Sequence, residues 1–96
     1  MTTTKTYNTM REIKAANEAA GGHWFSKDTM RFFKSIVYNP IYFGRYFITS
    51  ERYNDRSPRL FTVRFANADG SIDTASKFQQ FSTKRQAEKF IAELGR

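Results

Sequence analysis

Between Leu60 and Leu94 the apolar residues change their repeat. In Leu60-Phe61-Thr62-Val63-Arg64-Phe65, Phe61, Val63 and Phe65 alternate with Thr62 and Arg64, the two-residue period of a half-buried strand. Further on, Ala87, Phe90, Ile91 and Leu94 recur at i, i+3, i+4 and i+7, one stripe of a helix. Thr83 with Gln86 forms a capping box at the start of that helix, and Gly95 stops it. A chain with both periods in succession is held to an α+β arrangement in which the helical stripe covers a sheet face.

The strands extend upstream and downstream of this switch. Tyr42 to Thr49 reads as the first strand, with Phe43 and Phe47 on one side and Tyr46 and Ile48 on the other. Apolar residues on both sides make it the central strand of a sheet covered in part on both faces. Gly44 within it marks a bulge or a close approach. A polar loop from Glu51 to Pro58 leads to the second strand, Leu60–Phe65. Asp69-Gly70 reverses the chain into a third, more polar strand, Ser71 to Phe81, which fits a sheet edge. Lys77 on that edge would discourage sheet-to-sheet pairing.

Two helices are expected before the sheet. Thr9 and Glu12 form a capping box for a helix from Met10 to Ala20, whose thin stripe is Met10, Ile13, Ala16 and Ala20. Gly21-Gly22 ends it. Trp24 and Phe25 follow, either as an anchor for the helix connection or as a base-stacking platform. Ser26 and Asp28 open a second helix that runs through Phe32, Phe33 and Ile36 to Val37. Asn39-Pro40 closes the segment. Lys27, Arg31 and Lys34 share one face of this helix, which could track a phosphate backbone or be an ordinary solvated face. The expected fold is α+β: a three-stranded antiparallel sheet with two N-terminal helices and a packed C-terminal helix, in the order α-α-β-β-β-α. Residues 1–96 form one domain in this reading, with 1–8 flexible.

Composition limits function more than it assigns it. The 96 residues include ten Phe, five Tyr, one Trp and no Cys, so the core leans on rings, and disulfides and thiolate metal sites are excluded. The lone His23 has no neighbouring His or Cys to share a metal. No nucleophile elbow and no phosphate-binding Gly loop occurs. The expectation is a protein without catalytic residues, metal or cofactor. No apolar run approaches the length of a membrane span and no secretory signal opens the chain, so a cytoplasmic protein without membrane association is expected.

Sixteen Lys and Arg stand against nine Asp and Glu, a formal charge of +7. The excess is divided almost evenly between the segments before and after Tyr38, so it is not a basic tail. A basic surface of this kind attracts polyanions, chiefly nucleic acid, by releasing their counterions. The candidate contacts are Arg45, Arg64 and Lys77 from the sheet, Arg52, Arg56 and Arg59 from the loop and its end, and Lys84, Arg85 and Lys89 from the last helix. Trp24, Lys27, Arg31 and Lys34 are candidates for a partner surface. Oligomeric state is left open.

Three resemblances bear on this reading. The segment Arg45–Leu94, with its aromatic first strand, its Arg-bearing second strand and the step Phe81-Ser82-Thr83-Lys84-Arg85-Gln86-Ala87-Glu88, resembles the β-β-β-α arm-type DNA-binding domain of phage integrases and its AP2-like relatives. That resemblance implies a sheet laid in the DNA major groove, with Arg45, Arg64 and Lys77 as readers. Gln86 replaces the family's usual acid. The order α-βββ-α with Lys84-Arg85-Gln86-Ala87-Glu88-Lys89 is also similar to the double-stranded RNA-binding domain, in which the second helix, Ser26 to Val37, has no counterpart. DNA is thus favoured over RNA. Across most of the chain, Trp24-Phe25, Asp28–Phe33, Gly44–Glu51 and Phe78–Phe81 resemble small uncharacterised proteins of phages and mobile elements. The function expected is a non-enzymatic, basic phage-type protein that binds nucleic acid through Lys/Arg–phosphate contacts. The alternative is a phage-encoded, anti-CRISPR-like inhibitor that docks on a host defence nucleoprotein complex.

Overall fold

The computed structural model describes residues 6–32, 34–52 and 55–95. Its elements are α1 (Met10–Ala19), α2 (Lys27–Phe32), β1 (Ile36–Val37), β2 (Tyr46–Glu51), β3 (Leu60–Ala66), β4 (Ile72–Thr74) and α3 (Lys84–Leu94). The strands form one antiparallel sheet in the order β1-β2-β3-β4. The α+β class stands. The expected three-stranded sheet is corrected to four strands and the order to α-α-β-β-β-β-α, because Ile36-Val37 pairs with Thr49 and Ser50 instead of ending the second helix.

The cause lies just upstream. Lys34 takes a left-handed φ of 50°. Its N–H donates to the Arg31 carbonyl at 3.2 Å, and the Ser35 N–H donates to the Met30 carbonyl at 2.7 Å. These two bonds are those of a Schellman stop, so α2 is short and the β-branched pair Ile36-Val37 is released as an edge strand. Phe33 and the 53–54 part of the expected loop lie outside the described residues, as does the side chain of Phe32.

Two further boundaries also move. The first strand expected from Tyr42 begins at Tyr46, because Phe43 (φ 53°) and Gly44 (φ 74°) form the centre of a type I′ turn. That turn is closed by the Arg45 N–H on the Tyr42 carbonyl at 3.1 Å. Phe43 therefore stands exposed at a turn apex and does not share a face with Phe47. The strand expected to reach Phe81 ends at Thr74. Gln79 (φ 55°) then turns the chain, and Phe81 rejoins the sheet as an isolated bridge to Phe61. Lys77 thus lies in a connection and not on a strand edge.

Two apolar clusters share the sheet. On one face Phe47 and Ala66 pack with Tyr7, Met10 and Ile13, closed by Trp24 and Phe25. On the other, Ile48 and Val63 meet Ala87 and Ile91 of α3, flanked by Tyr38, Phe61, Phe81 and Phe90. Trp24 meets Phe25 edge-on at 4.7 Å and Phe47 at 5.9 Å, so it acts as the anchor. Tyr7, within the stretch expected to be flexible, is 3% exposed; its hydroxyl donates to the Asn67 carbonyl at 2.7 Å and its N–H to the Gly44 carbonyl at 2.6 Å.

The buried stripe of α1 is Met10, Ile13 and Asn17, while Ala20 is exposed at the C-cap. Asn17 donates to the Gly70 carbonyl at 2.9 Å and accepts from the Trp24 N–H at 3.3 Å, which ties α1 to the β3–β4 turn. Gly70 (φ 92°) has no room for a Cβ, which would collide with the Ala16 carbonyl. Both capping boxes form with one variation. Thr9 and Thr83 accept from the N–H groups of Glu12 and Gln86, but the carboxylate of Glu12 and the amide oxygen of Gln86 reach back to the N–H groups of Asn8 and Ser82, one residue before each cap.

Candidate nucleic-acid interface

Alternation along β2 sends Phe47, Thr49 and Glu51 to the α1 face and Tyr46, Ile48 and Ser50 to the α3 face. The basic residues divide along the same line.

On the α1 face, Arg64 is closed into a network. Its side chain is 11% exposed and pairs at 3.4 Å with Glu51, which is 1% exposed. Its Nε donates to Thr49 at 3.2 Å and its Nη1 to Thr74 at 2.7 Å. The guanidinium lies between two rings, 5.2 Å from Trp24 and 5.5 Å from Phe78. Glu51 also accepts from Thr62 at 2.9 Å, and the Gln79 amide donates to the Glu51 carbonyl at 3.0 Å. Burial pulls the Arg64 guanidinium below its ordinary pKa, and the Glu51 charge opposes that shift. Thus Arg64, expected on the polar face of its strand, is a structural cation.

On the α3 face, basic residues from three separate segments meet. Arg59 Nη1 donates to the Lys34 carbonyl at 2.9 Å, to the Ser50 carbonyl at 3.1 Å and to the Ser50 hydroxyl at 2.9 Å. The Tyr38 hydroxyl lies 3.1 Å from the same Ser50 hydroxyl. The Lys84 ammonium, in the first turn of α3, sits 5.2 Å over the Tyr38 ring. Lys34 and Arg52 both approach Asp55, at 3.6 and 3.5 Å. A ridge therefore runs from α3 across the β1 edge to the connection after β2, joining Lys84, Arg59, Lys34 and Arg52. No link in it exceeds 5.2 Å.

What fixes these cations matters as much as where they stand. Arg59 is held by two carbonyls and a hydroxyl, and Lys84 by a ring, all neutral groups. Among the described residues, Asp55 is the carboxylate in salt-bridge contact with the ridge, and it is exposed. Exposed pairs of this kind are worth about 0–1 kcal/mol and yield readily to a stronger anion. The first turn of α3 carries Lys84 and Arg85 and no acid. Cations at a helix N-terminus oppose the helix dipole, at a cost of roughly 0.3–1 kcal/mol each. By contrast, α1 and α2 carry Glu12 and Asp28 there, the favourable arrangement.

The remaining candidates lie apart from these contacts. Arg45 stacks on Tyr46 and Phe65, at 5.0 and 5.8 Å. Lys89 borders a shallow groove with Phe81, Phe90 and Glu93. Lys27 and Arg31 are exposed on α2, and Lys77 on the β4–α3 connection. Arg56 and Arg85 are exposed beside ridge residues in sequence. Tyr38, Ser50 and Asp55 organise the ridge and were not foreseen. For Ser50 a signal existed, since β2 alternation places it opposite Glu51.

Residues 9–92 match a family of unknown function, DUF7447. The chain belongs to that family. The match brings no link to integrase arm-type modules or to other DNA-binding domains. No curated protein and no solved structure matches the chain. Among the described residues, no helix is long and apolar enough to cross a membrane.

Proposed function

We propose that this protein binds nucleic acid, with the Lys84–Arg59–Lys34–Arg52 ridge holding phosphates. The observation that carries the reading is that, among the described residues, these cations are positioned by neutral groups and one exposed carboxylate, so their charge stays available to an external polyanion. In this reading it is a small basic protein of phage type that acts in the host cytoplasm. About four phosphate contacts imply roughly a hundredfold loss of affinity between about 50 and 200 mM salt. Fluorescence anisotropy with labelled DNA across that range tests it. Absence of binding at the lowest salt, or binding indifferent to salt, would overturn it.

A second reading rests on a different surface. Phe43 (57% exposed) and Leu94 (41% exposed) border one shallow groove with Arg45 at the C-terminal end of α3. A bulky residue at positive φ is a strained and uncommon choice for a turn apex. The exposed ring favours the protein-docking alternative, an inhibitor of a host defence complex. Nuclease-resistant co-purification of one such complex, lost in Phe43→Ser, would support it, and unchanged recovery with that variant would reject it.

A further inference from the structure

The ridge differs from surfaces that hold single strands, and the difference lies in where its rings are. Proteins that bind single strands without sequence preference combine a basic groove with exposed aromatic faces on which bases stack, each worth about 1–3 kcal/mol. Here the ring on the ridge is Tyr38. One side of it is beneath the Lys84 ammonium, its ring centre lies 6.0 Å from that of Phe61 at a tilt of 32°, and its hydroxyl is engaged with Ser50. Tyr38 is part of the ridge's scaffold, half-buried and with one face already taken by the Lys84 ammonium. The rings that are exposed among the described residues, Phe43 and Phe78, lie elsewhere: Phe43 against Gly95 at the far end of α3, and Phe78 over Arg64 on the opposite face of the sheet.

The ridge carries two guanidiniums and both are engaged: Arg52 Nη2 lies 3.5 Å from Asp55. A bidentate contact to guanine needs two parallel N–H donors aimed outward. In Arg59, Nη1 is turned inward onto three acceptors of its own chain. What the ridge offers outward is charge at fixed positions. For such a surface, affinity follows the density of phosphates, and a duplex carries one charge per about 1.7 Å of axis while a single strand carries fewer.

We infer that the ridge takes duplex nucleic acid by its phosphate backbone and does not read base sequence. This rests on the nucleic-acid reading above and narrows it to one class of partner. DNA and RNA duplexes present the same phosphate chemistry, so both enter the test.

The experiment uses the full chain and anisotropy at one low salt concentration. The probes are a DNA duplex, an RNA duplex of matched length, the separate strands of each, and a DNA duplex of scrambled sequence. At least one duplex is expected to bind about tenfold or more tightly than its own strands, and the scrambled duplex within about twofold of the original. Lys84→Glu is expected to weaken duplex binding about tenfold, while Phe43→Ser and Phe78→Ser leave it unchanged. Single strands that bind as tightly as duplexes would overturn the inference and leave the nucleic-acid reading intact. So would a tenfold preference for one duplex sequence, or a loss of binding in either Phe variant. Absence of binding to every probe would overturn both.

Discussion

Arg59 stands just before β3 and Arg64 within it, yet the fold uses them in opposite ways. Arg64 faces α1, where a buried carboxylate, two threonines and two rings close around it. Arg59 turns to the other face and is fixed by the Lys34 carbonyl and by Ser50, and among the described residues no carboxylate pairs with it. The formal charge of +7 counts both equally. The contrast teaches that an interface is marked by how a cation is held. Ion-paired and desolvated, it is part of the fold. Held by neutral groups at the surface, it is available to a partner.

The largest effect should come from breaking the buried side. Arg64→Ala leaves Glu51 as an uncompensated buried charge and is expected to cost about 3–5 kcal/mol in urea unfolding. The paired change Arg64→Met with Glu51→Gln should recover most of that loss, since replacing both charges removes the desolvation penalty. Folded protein carrying the pair should bind duplex as the parent does. If that pair lost binding, the division between the two arginines would be wrong.

The ridge should respond in the reverse sense. Lys34→Glu with Lys84→Glu is expected to lower duplex affinity about a hundredfold, equivalent to about 2.7 kcal/mol. The unfolding midpoint should stay within about 0.5 kcal/mol, since surface charges add little and an acid at position 84 suits the dipole of α3. A large fall in stability would show these lysines to be structural like Arg64.

Asn17 sharpens the contrast from outside both sets. Asn17→Ala removes the partner of the Gly70 carbonyl and the Trp24 N–H, and should cost about 1–3 kcal/mol in unfolding with no change in anisotropy. The smallest effect is expected at alkaline pH. Burial, followed by its hydrogen bond to Glu88 and that residue's charge, pushes the Tyr42 hydroxyl up to about 12. A folded-state value above the unfolded one stabilises the fold fully below about pH 10 and is lost as pH rises through 12. The alkaline limb of a stability–pH curve should therefore flatten in Tyr42→Phe relative to the parent.

Much of the scaffold was legible because its signals are local. The boxes at Thr9/Glu12 and Thr83/Gln86, the stripe of α3 and the alternation of β3 each follow from a short run of residues. Two of the three misplaced boundaries share one cause: Lys34 ends α2 and Phe43 precedes β2, both non-glycine residues in the left-handed region. β4 ends instead where the Val63 N–H donates to the Ser76 hydroxyl in place of a ladder carbonyl, and Gln79, also left-handed, turns the chain five residues later. Turn signals in a sequence are written chiefly in Gly, Asn and Asp, so Lys, Phe and Gln at such positions are silent. The extra strand β1 follows from the first of these, as Ile36-Val37 fits a helix stripe until Lys34 is known to stop the helix. At the site, the cations were visible but their meeting was not. It depends on Ser50 and Tyr38, which carry no charge and signal nothing until the β1–β2 pairing brings them together.

The tie between Asn17 and Gly70 also sets an order of events. It spans 53 residues, and the Tyr7–Asn67 bond spans 60. As the chain is synthesised, α1 emerges first, yet the turn on which it docks is made more than half a chain later. Contacts this distant close slowly, because the intervening segment must give up its freedom before they form. Until Gly70 is in place, the apolar stripe of α1 has no seat. During that interval Met10 and Ile13 are open to whatever else the cell presents.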